Sequence, residues 1–371
     1  MMAGVRRGLF ALSLAGCGFT VGPGSSIDAA VDDVPGDATD APLVDALSFD
    51  VNVDLCYGPM NAYRICLPAM PSSPLTLSGT IDTTACAGGF VLAIGSGSPD
   101  LCVISGTTVT ASSTVRITGG RPLAVVATQD LTIESGATLD ASSVAGGLRG
   151  PGSNNTTCNT GQPGGSGSGG GGGGAGGSFQ SRGGAGGAGM GSTGGTSGLP
   201  VFATSLRGGC RGSTGGGASP GPGGDSGGAI YLVAGGRLQV DGRINASGAG
   251  GRGAGSKSGG GGGGSGGMIA LHGGTIAIAS GARLWANGGG GGGGGTSNAG
   301  GSNGGQSTDP ATGGPSGAGD GDGGVGAVQI NSGGPGTSGG KGGGGGGGGV
   351  GVIENLTGGN LSPGTFSPPA S

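Results

Sequence analysis

A serine flanked by aspartate and glycine, Ser226 in Gly224-Asp225-Ser226-Gly227-Gly228, is the first place in this chain where chemistry could be sought. Its hydroxyl would become a nucleophile only if a histidine took its proton and a buried carboxylate oriented that histidine. The chain has one histidine, His272, in Leu271-His272-Gly273-Gly274. Two related stretches carry Ala234 and Ala127 at the matching place, so His272 reads as an ordinary strand end. With 109 glycines in 371 residues, a Gly-Asp-Ser-Gly-Gly string arises readily by chance.

Other polar groups give further candidates. Glu134, Asp140 and Asp241 could stack on one side of a repeating fold, and paired carboxylates roughly 5–10 Å apart can cleave glycosidic bonds. Basic and aromatic partners for a sugar are scarce, since aromatics make up 3% of the chain. Gly319–Gly324 (Gly-Asp-Gly-Asp-Gly-Gly) lacks the register of a repeated calcium turn and reads as a polar turn. The many G-x-G-x-x-G matches do not open a helix after a strand, and neither Lys257 nor Lys341 sits in a phosphate-binding loop. The Gly224–Gly228 string itself resembles the nucleophile motif of chymotrypsin-like proteases. In that family the histidine precedes the serine, whereas His272 follows it.

Seven cysteines carry firmer information. Setting aside Cys17, six remain: Cys56, Cys66, Cys86, Cys102, Cys158 and Cys210. An even number in an exported chain reads as three disulfides. Chain order suggests Cys56–Cys66, Cys86–Cys102 and Cys158–Cys210, although six cysteines allow fifteen pairings. A zinc site competes poorly, because there is no CxxC pair and the lone histidine lies far along the chain. No metal and no cofactor are expected.

The elements that must position these residues emerge when the chain is aligned with itself. Residues 268–287 (MIALHGGTIAIASGARLWAN) match 230–247 (IYLVAGGRLQVDGRINAS) and 123–142 (LAVVATQDLTIESGATLDAS). Each unit has an apolar strand, a short turn, a second strand, a glycine corner and a short third strand. Ile276 corresponds to Leu238 and Leu131, and Leu284 to Ile244 and Leu139. Partial copies occur at 326–334 and 350–359. Such units bury their apolar rows only against a neighbour, which predicts stacked coils of a β-helix. Phrases such as "SGATLDAS" and "DGRINASGAGG" resemble the haemagglutinin-type right-handed β-helix repeats of large bacterial adhesins. The secretion module and C-terminal barrel of those adhesins are not seen here.

Glycine-rich excursions separate the units, at 148–226, 248–267 and 288–323, with a last run at 342–349. Glycine loses the most entropy on ordering, so mobile loops are one expectation. The other is a bundle of polyproline-II-like glycine strands, whose outward N–H and C=O groups could be satisfied by neighbours. The composition resembles that of the mycobacterial PGRS proteins, without their helical PE domain.

The first residues point to an address. Arg6 and Arg7 precede a short apolar stretch that ends in Leu14-Ala15-Gly16-Cys17. This resembles the lipobox of bacterial lipoprotein signal peptides. The resemblance implies cleavage before Cys17, lipidation of its thiol and a stable membrane anchor. Gly18 rather than aspartate after the cysteine implies the outer membrane. Eight aspartates lie between Cys17 and Leu55 with no basic residue among them, as in a solvated, self-repelling tether. Beyond Leu55, 13 basic and 11 acidic residues nearly balance, so nucleic acid is a poor partner.

The expectation is therefore an all-β chain: a right-handed parallel β-helix or solenoid-like stack, interrupted by glycine-rich loops or polyglycine-II-like strands. Its parts are a signal peptide over 1–16, an acidic disordered tether over 17–54 and a disulfide-pinned β-rich part over 55–147. A glycine-rich excursion over 148–226 and β-repeat units over 227–371 complete it. The expected role is structural or adhesive at the cell surface, exported and anchored to the outer membrane through its N-terminal lipid. Surface polysaccharide or matrix proteins are the expected partners. A β-helical polysaccharide-acting enzyme is the alternative.

Overall fold

The computed structural model describes residues 55–60, 64–95, 98–159, 161–296 and 298–371. The signal peptide over 1–16, the tether over 17–54 and Cys17 lie outside the described residues. Residues Asp54–Ser371 cluster as one unit, and no helix occurs among those described.

In chain order the strands begin with the small pair β1 (Cys56–Tyr57) and β2 (Ile65–Cys66). Then come β3 (Leu75–Leu77), β4 (Thr80–Asp82), β5 (Phe90–Leu92), β6 (Leu101–Gly106), β7 (Val109–Ala111) and β8 (Thr114–Thr118). The first full repeat supplies β9 (Leu123–Ala127), β10 (Leu131–Ile133) and β11 (Thr138–Asp140). In the second, the first two strands run together as β12 (Ala229–Val240), followed by β13 (Arg243–Asn245). The third gives β14 (Met268–Ile278) and β15 (Arg283–Trp285), and the chain ends with β16 (Val352–Asn355) and β17 (Thr365–Ser367).

The short strands form where β-branched or aliphatic residues alternate with polar ones, as in β3 (Leu-Thr-Leu), β8 (Thr-Val-Arg-Ile-Thr) and β10 (Leu-Thr-Ile), whereas β9 and the first halves of β12 and β14 are nearly continuous apolar runs. They stop at tight corners. In the first repeat the Ala137 N–H donates to the Glu134 carbonyl at 3.0 Å, and Gly136 takes φ 86°, where a side chain would be strained. The third repeat closes its corner the same way, Ala282 N–H to Ala279 carbonyl at 3.0 Å.

Two sheets result, besides the β1–β2 pair. A nine-stranded sheet runs β3-β7-β10-β12-β9-β6-β5, with β14 on β12 and β16 on β14. A six-stranded sheet runs β17-β15-β13-β11-β8-β4. The residues aligned by self-comparison are direct neighbours: Leu131 opposes Leu238, which opposes Ile276, and Leu139 opposes Ile244, which opposes Leu284. His272 departs from the sequence alignment by one residue. It opposes Val233, not Ala234, because a register shift between Ala234 and Arg237 absorbs one extra residue in β12.

The main core lies between the sheets. Leu131, Ile133, Leu238 and Val240 meet Val115, Leu139, Ile244 and Leu284, all fully buried. A second core covers the other face of β6, β9, β12 and β14, where Val103, Val126, Tyr231 and Met268 pack with Phe179 and Leu206. Burial on both faces explains why β9 reads as the unbroken apolar run Leu-Ala-Val-Val-Ala.

The expected right-handed β-helix is corrected by this topology. The larger sheet is mixed, since β5 pairs with β6 antiparallel, and the excursions leave the strands to build a separate glycine bundle. Recurring units specify which rows stack but not how the chain travels between them. No continuous right-handed solenoid is therefore shown.

The glycine segments are hydrogen-bonded to one another with a period of three. Along 171–177, Gly171, Gly174 and Gly177 donate to Lys257, Gly260 and Gly263, while Gly172 and Ala175 donate to Gly165 and Gln162. Gly173 and Gly176 donate to a third neighbour, at Gly187 and Gly184. Gly343, Gly346 and Gly349 in turn donate back to Gly171, Gly174 and Gly177. Three residues per turn with outward-pointing amides is the geometry of a polyproline-II-type helix. Each main-chain donor along 171–177 and 343–349 has an acceptor, which offsets the large entropy cost of ordering glycine.

Candidate functional site

Built up from its residues, the Gly224–Gly228 string is a clamp. Asn154, in the left-handed region at φ 58°, donates its N–H to Ser226 Oγ at 2.7 Å. Its side chain accepts from the Ser226 N–H at 3.0 Å and donates to Asp225 at 2.7 Å. Asp225 also pairs with Arg149 at 3.1 Å and Arg211 at 3.5 Å. Ser226 is fully buried, so its hydroxyl is spent on architecture. His272 stands in β14 with its Nδ1 lacking a hydrogen-bond partner. Partial burial pushes its pKa below the ordinary histidine value, and a backbone contact with Leu356 partly offsets that.

Of the three carboxylates singled out by sequence, Glu134 and Asp241 fall beside each other and Asp140 lies in the other sheet. Asp140 lies in the six-stranded sheet, where it pairs with Arg116 at 2.6 Å. It also accepts from Ser142 Oγ at 2.6 Å and Asn245 at 3.2 Å. Glu134 and Asp241 follow the ends of β10 and β12, on adjacent rungs of the other sheet. Asp241 accepts from the Gln239 amide at 2.7 Å. In the 319–324 turn, Asp320 and Asp322 accept from the backbone N–H groups of Lys341 and Ser316. Among the described residues, no three His, Cys, Asp or Glu side chains are grouped so as to hold a metal.

The cysteines are joined as Cys56–Cys66, Cys86–Cys102 and Cys158–Cys210. The last bond ties the start of the long glycine excursion to its later part.

The structure also assembles a row that the sequence reading passed over. In the six-stranded sheet, Val115, Leu139, Ile244, Leu284 and Phe366 point to the core. By alternation, the residues before them line the opposite face: Thr114, Thr138, Arg243, Arg283 and Thr365. Strands in a sheet lie about 4.8 Å apart, so Arg243 and Arg283 stand side by side. Arg283 donates to the carbonyls of Ser280 and Ala282, and Arg243 is exposed. Neither forms an ion pair with a carboxylate among the described residues. Like charges directly opposed in a sheet repel, and hydroxyls on both sides add hydrogen-bonding capacity. The arrangement can receive an anionic group by bidentate hydrogen bonds. The sequence signal was available, since "RIN" and "RLW" align in the repeats, but total charge conceals a local pair.

Comparison with protein-family models, curated proteins and solved structures returned no match.

Proposed function

We propose that this chain is a cell-surface lipoprotein with an adhesive, non-catalytic role, anchored at the outer membrane through Cys17. Its body presents the Thr114–Thr138–Arg243–Arg283–Thr365 row to acidic polysaccharide. The observation that carries the reading is the pair of adjacent, carboxylate-free arginines on an outward sheet face. The alternative of a polysaccharide-acting enzyme has less support, because Asp140 is neutralised by Arg116 in the six-stranded sheet and Asp241, beside Glu134, is already engaged by the Gln239 amide.

The three disulfides point to an oxidising, exported environment. No helix of the described residues is long and apolar enough to cross a membrane. The disulfides agree with a body carried outside the cytoplasm.

The test is retention of the full chain on immobilised polygalacturonate against neutral dextran, at low and high salt. Selective, salt-sensitive binding is expected, weakened about tenfold by each of Arg243→Glu and Arg283→Glu. Equal retention on both matrices, or no effect of either substitution, would remove the adhesive assignment.

A further inference from the structure

Arg207 is the most unusual charge in the fold. It is only 5% exposed, yet it forms no ion pair with a carboxylate among the described residues. Its Nη1 donates to Thr157 Oγ1 at 2.6 Å and its Nε approaches the Gly208 carbonyl at 3.3 Å. The guanidinium carbon lies 5.2 Å from the centre of the buried Phe179 ring. Its Nη2 faces the Cys158–Cys210 disulfide, 3.0 Å from Cys158 Sγ and 3.6 Å from Cys210 Sγ.

A buried cation is costly unless an anion accompanies it, and a disulfide sulfur is a weak acceptor. The pocket is therefore one negative charge short. Opening the disulfide would create that charge in place, as a thiolate beside the guanidinium.

We propose that Cys158–Cys210 is a thiol–disulfide exchange site, open to small thiols or to a partner's cysteine, with Arg207 as its positioning residue. The two ends differ in access. Cys158 is partly exposed, whereas Cys210 is fully buried in a segment of the glycine bundle. Cys210 is pinned there by its N–H to Ser265 Oγ at 2.8 Å and by the Ser265 N–H to its carbonyl at 3.0 Å.

The incoming thiolate attacks Cys158 Sγ, and its electron pair forms the new S–S bond. The old bond breaks, and its pair leaves on Cys210 Sγ. One thiolate is consumed and one is produced, so charge and electrons balance without a proton. Arg207 draws the anionic attacker inward and stabilises the leaving thiolate, both of which speed exchange. A second thiolate can then attack the Cys158 sulfur of the mixed disulfide or the attached thiol's sulfur. The latter attack releases Cys158 as a thiolate and the oxidised thiol as co-product.

The experiment treats the full, oxidised chain with a monothiol, glutathione, and follows adducts by intact mass and peptide mapping. The expected product carries glutathione on Cys158 and a free thiol at Cys210. Arg207→Gln should slow its formation at least tenfold, and Arg207→Lys should recover most of the rate. The Cys86–Cys102 bond, buried at both ends, serves as the internal reference. A merely structural Arg207 predicts the opposite sign, because its loss would loosen the pocket and leave exchange unchanged or faster. That result overturns the proposal, as does an adduct on Cys210 or none at this bond. Where Arg207→Gln fails to fold, the position of the adduct in the wild-type chain still decides the matter.

Discussion

Ser226 and His272 are residues whose types invite a catalytic reading and whose surroundings assign them other work. Ser226 is locked to Asn154, and His272 is a partly buried strand residue opposite Val233. The histidine nevertheless has a measurable consequence. Burial holds its pKa below the ordinary value near 6.5, so the unfolded chain takes up a proton at a higher pH than the folded one. Folded stability should therefore fall as pH drops from 6.5 through the lowered pKa, and this contribution should be flat above that window. His272→Leu should remove the component, seen as the difference between the two proteins' thermal midpoints from pH 7 to 5. As the only histidine, it also gives a single imidazole titration by NMR, expected below 6.5. A titration at or above 6.5 would contradict the burial argument.

Two kinds of element share the described chain, and they tolerate change differently. In the strands, side chains carry the packing. In the glycine segments the main chain does so, and the absence of Cβ atoms is the condition for contact. A methyl group at Gly262 would fall on the carbonyl oxygen of Ala175, and one at Gly345 on that of Gly261. These neighbours are backbone held every third residue, so they cannot turn aside. Gly262→Ala should cost about 3 kcal/mol or more, at the upper end of overpacking penalties. Gly281→Ala, at an exposed corner with nothing within 4 Å, should change stability by less than about 0.5 kcal/mol. Urea melts of the two variants would separate a bonded bundle from loose loops. Equal effects would mean that the bundle contributes nothing to the fold. The strand rows were legible in advance, because Leu131, Leu238 and Ile276 announce themselves by type and spacing. The one-residue error at His272 was not legible, because nothing in the local pattern marks where a register shift will take up an extra residue.

On the scale of the whole molecule, two sheets share one core, and the glycine bundle closes a second core with Phe179 and Leu206. This gives a glycine-rich chain a packed interior with 3% aromatic residues. The proposed anchor belongs to this scale as well. Replacing Cys17 by serine should shift the protein from the membrane to a soluble exported fraction and abolish incorporation of labelled palmitate. A variant that stays membrane-bound would refute lipidation at Cys17. Fractionation followed by immunoblotting reads both outcomes.

The sequence by itself determined which apolar rows stack on which, such as Leu131, Leu238 and Ile276. Side-chain alternation in a strand is strict, and slipping by one residue would turn a whole apolar row to the wrong face. It also carried the even set of six cysteines that accompanies an exported fold. Only the tertiary structure decided the path between rows, the antiparallel turn of β5 against β6 and the order of the glycine segments. Glycine offers no side-chain pattern to read. Its hydrogen bonds join main chain at 171, 257 and 343, segments whose meeting no local periodicity encodes. The same holds for Arg207 and for the Arg243–Arg283 pair. Their chemistry depends on what the fold leaves beside a charge, and in both cases it leaves no carboxylate.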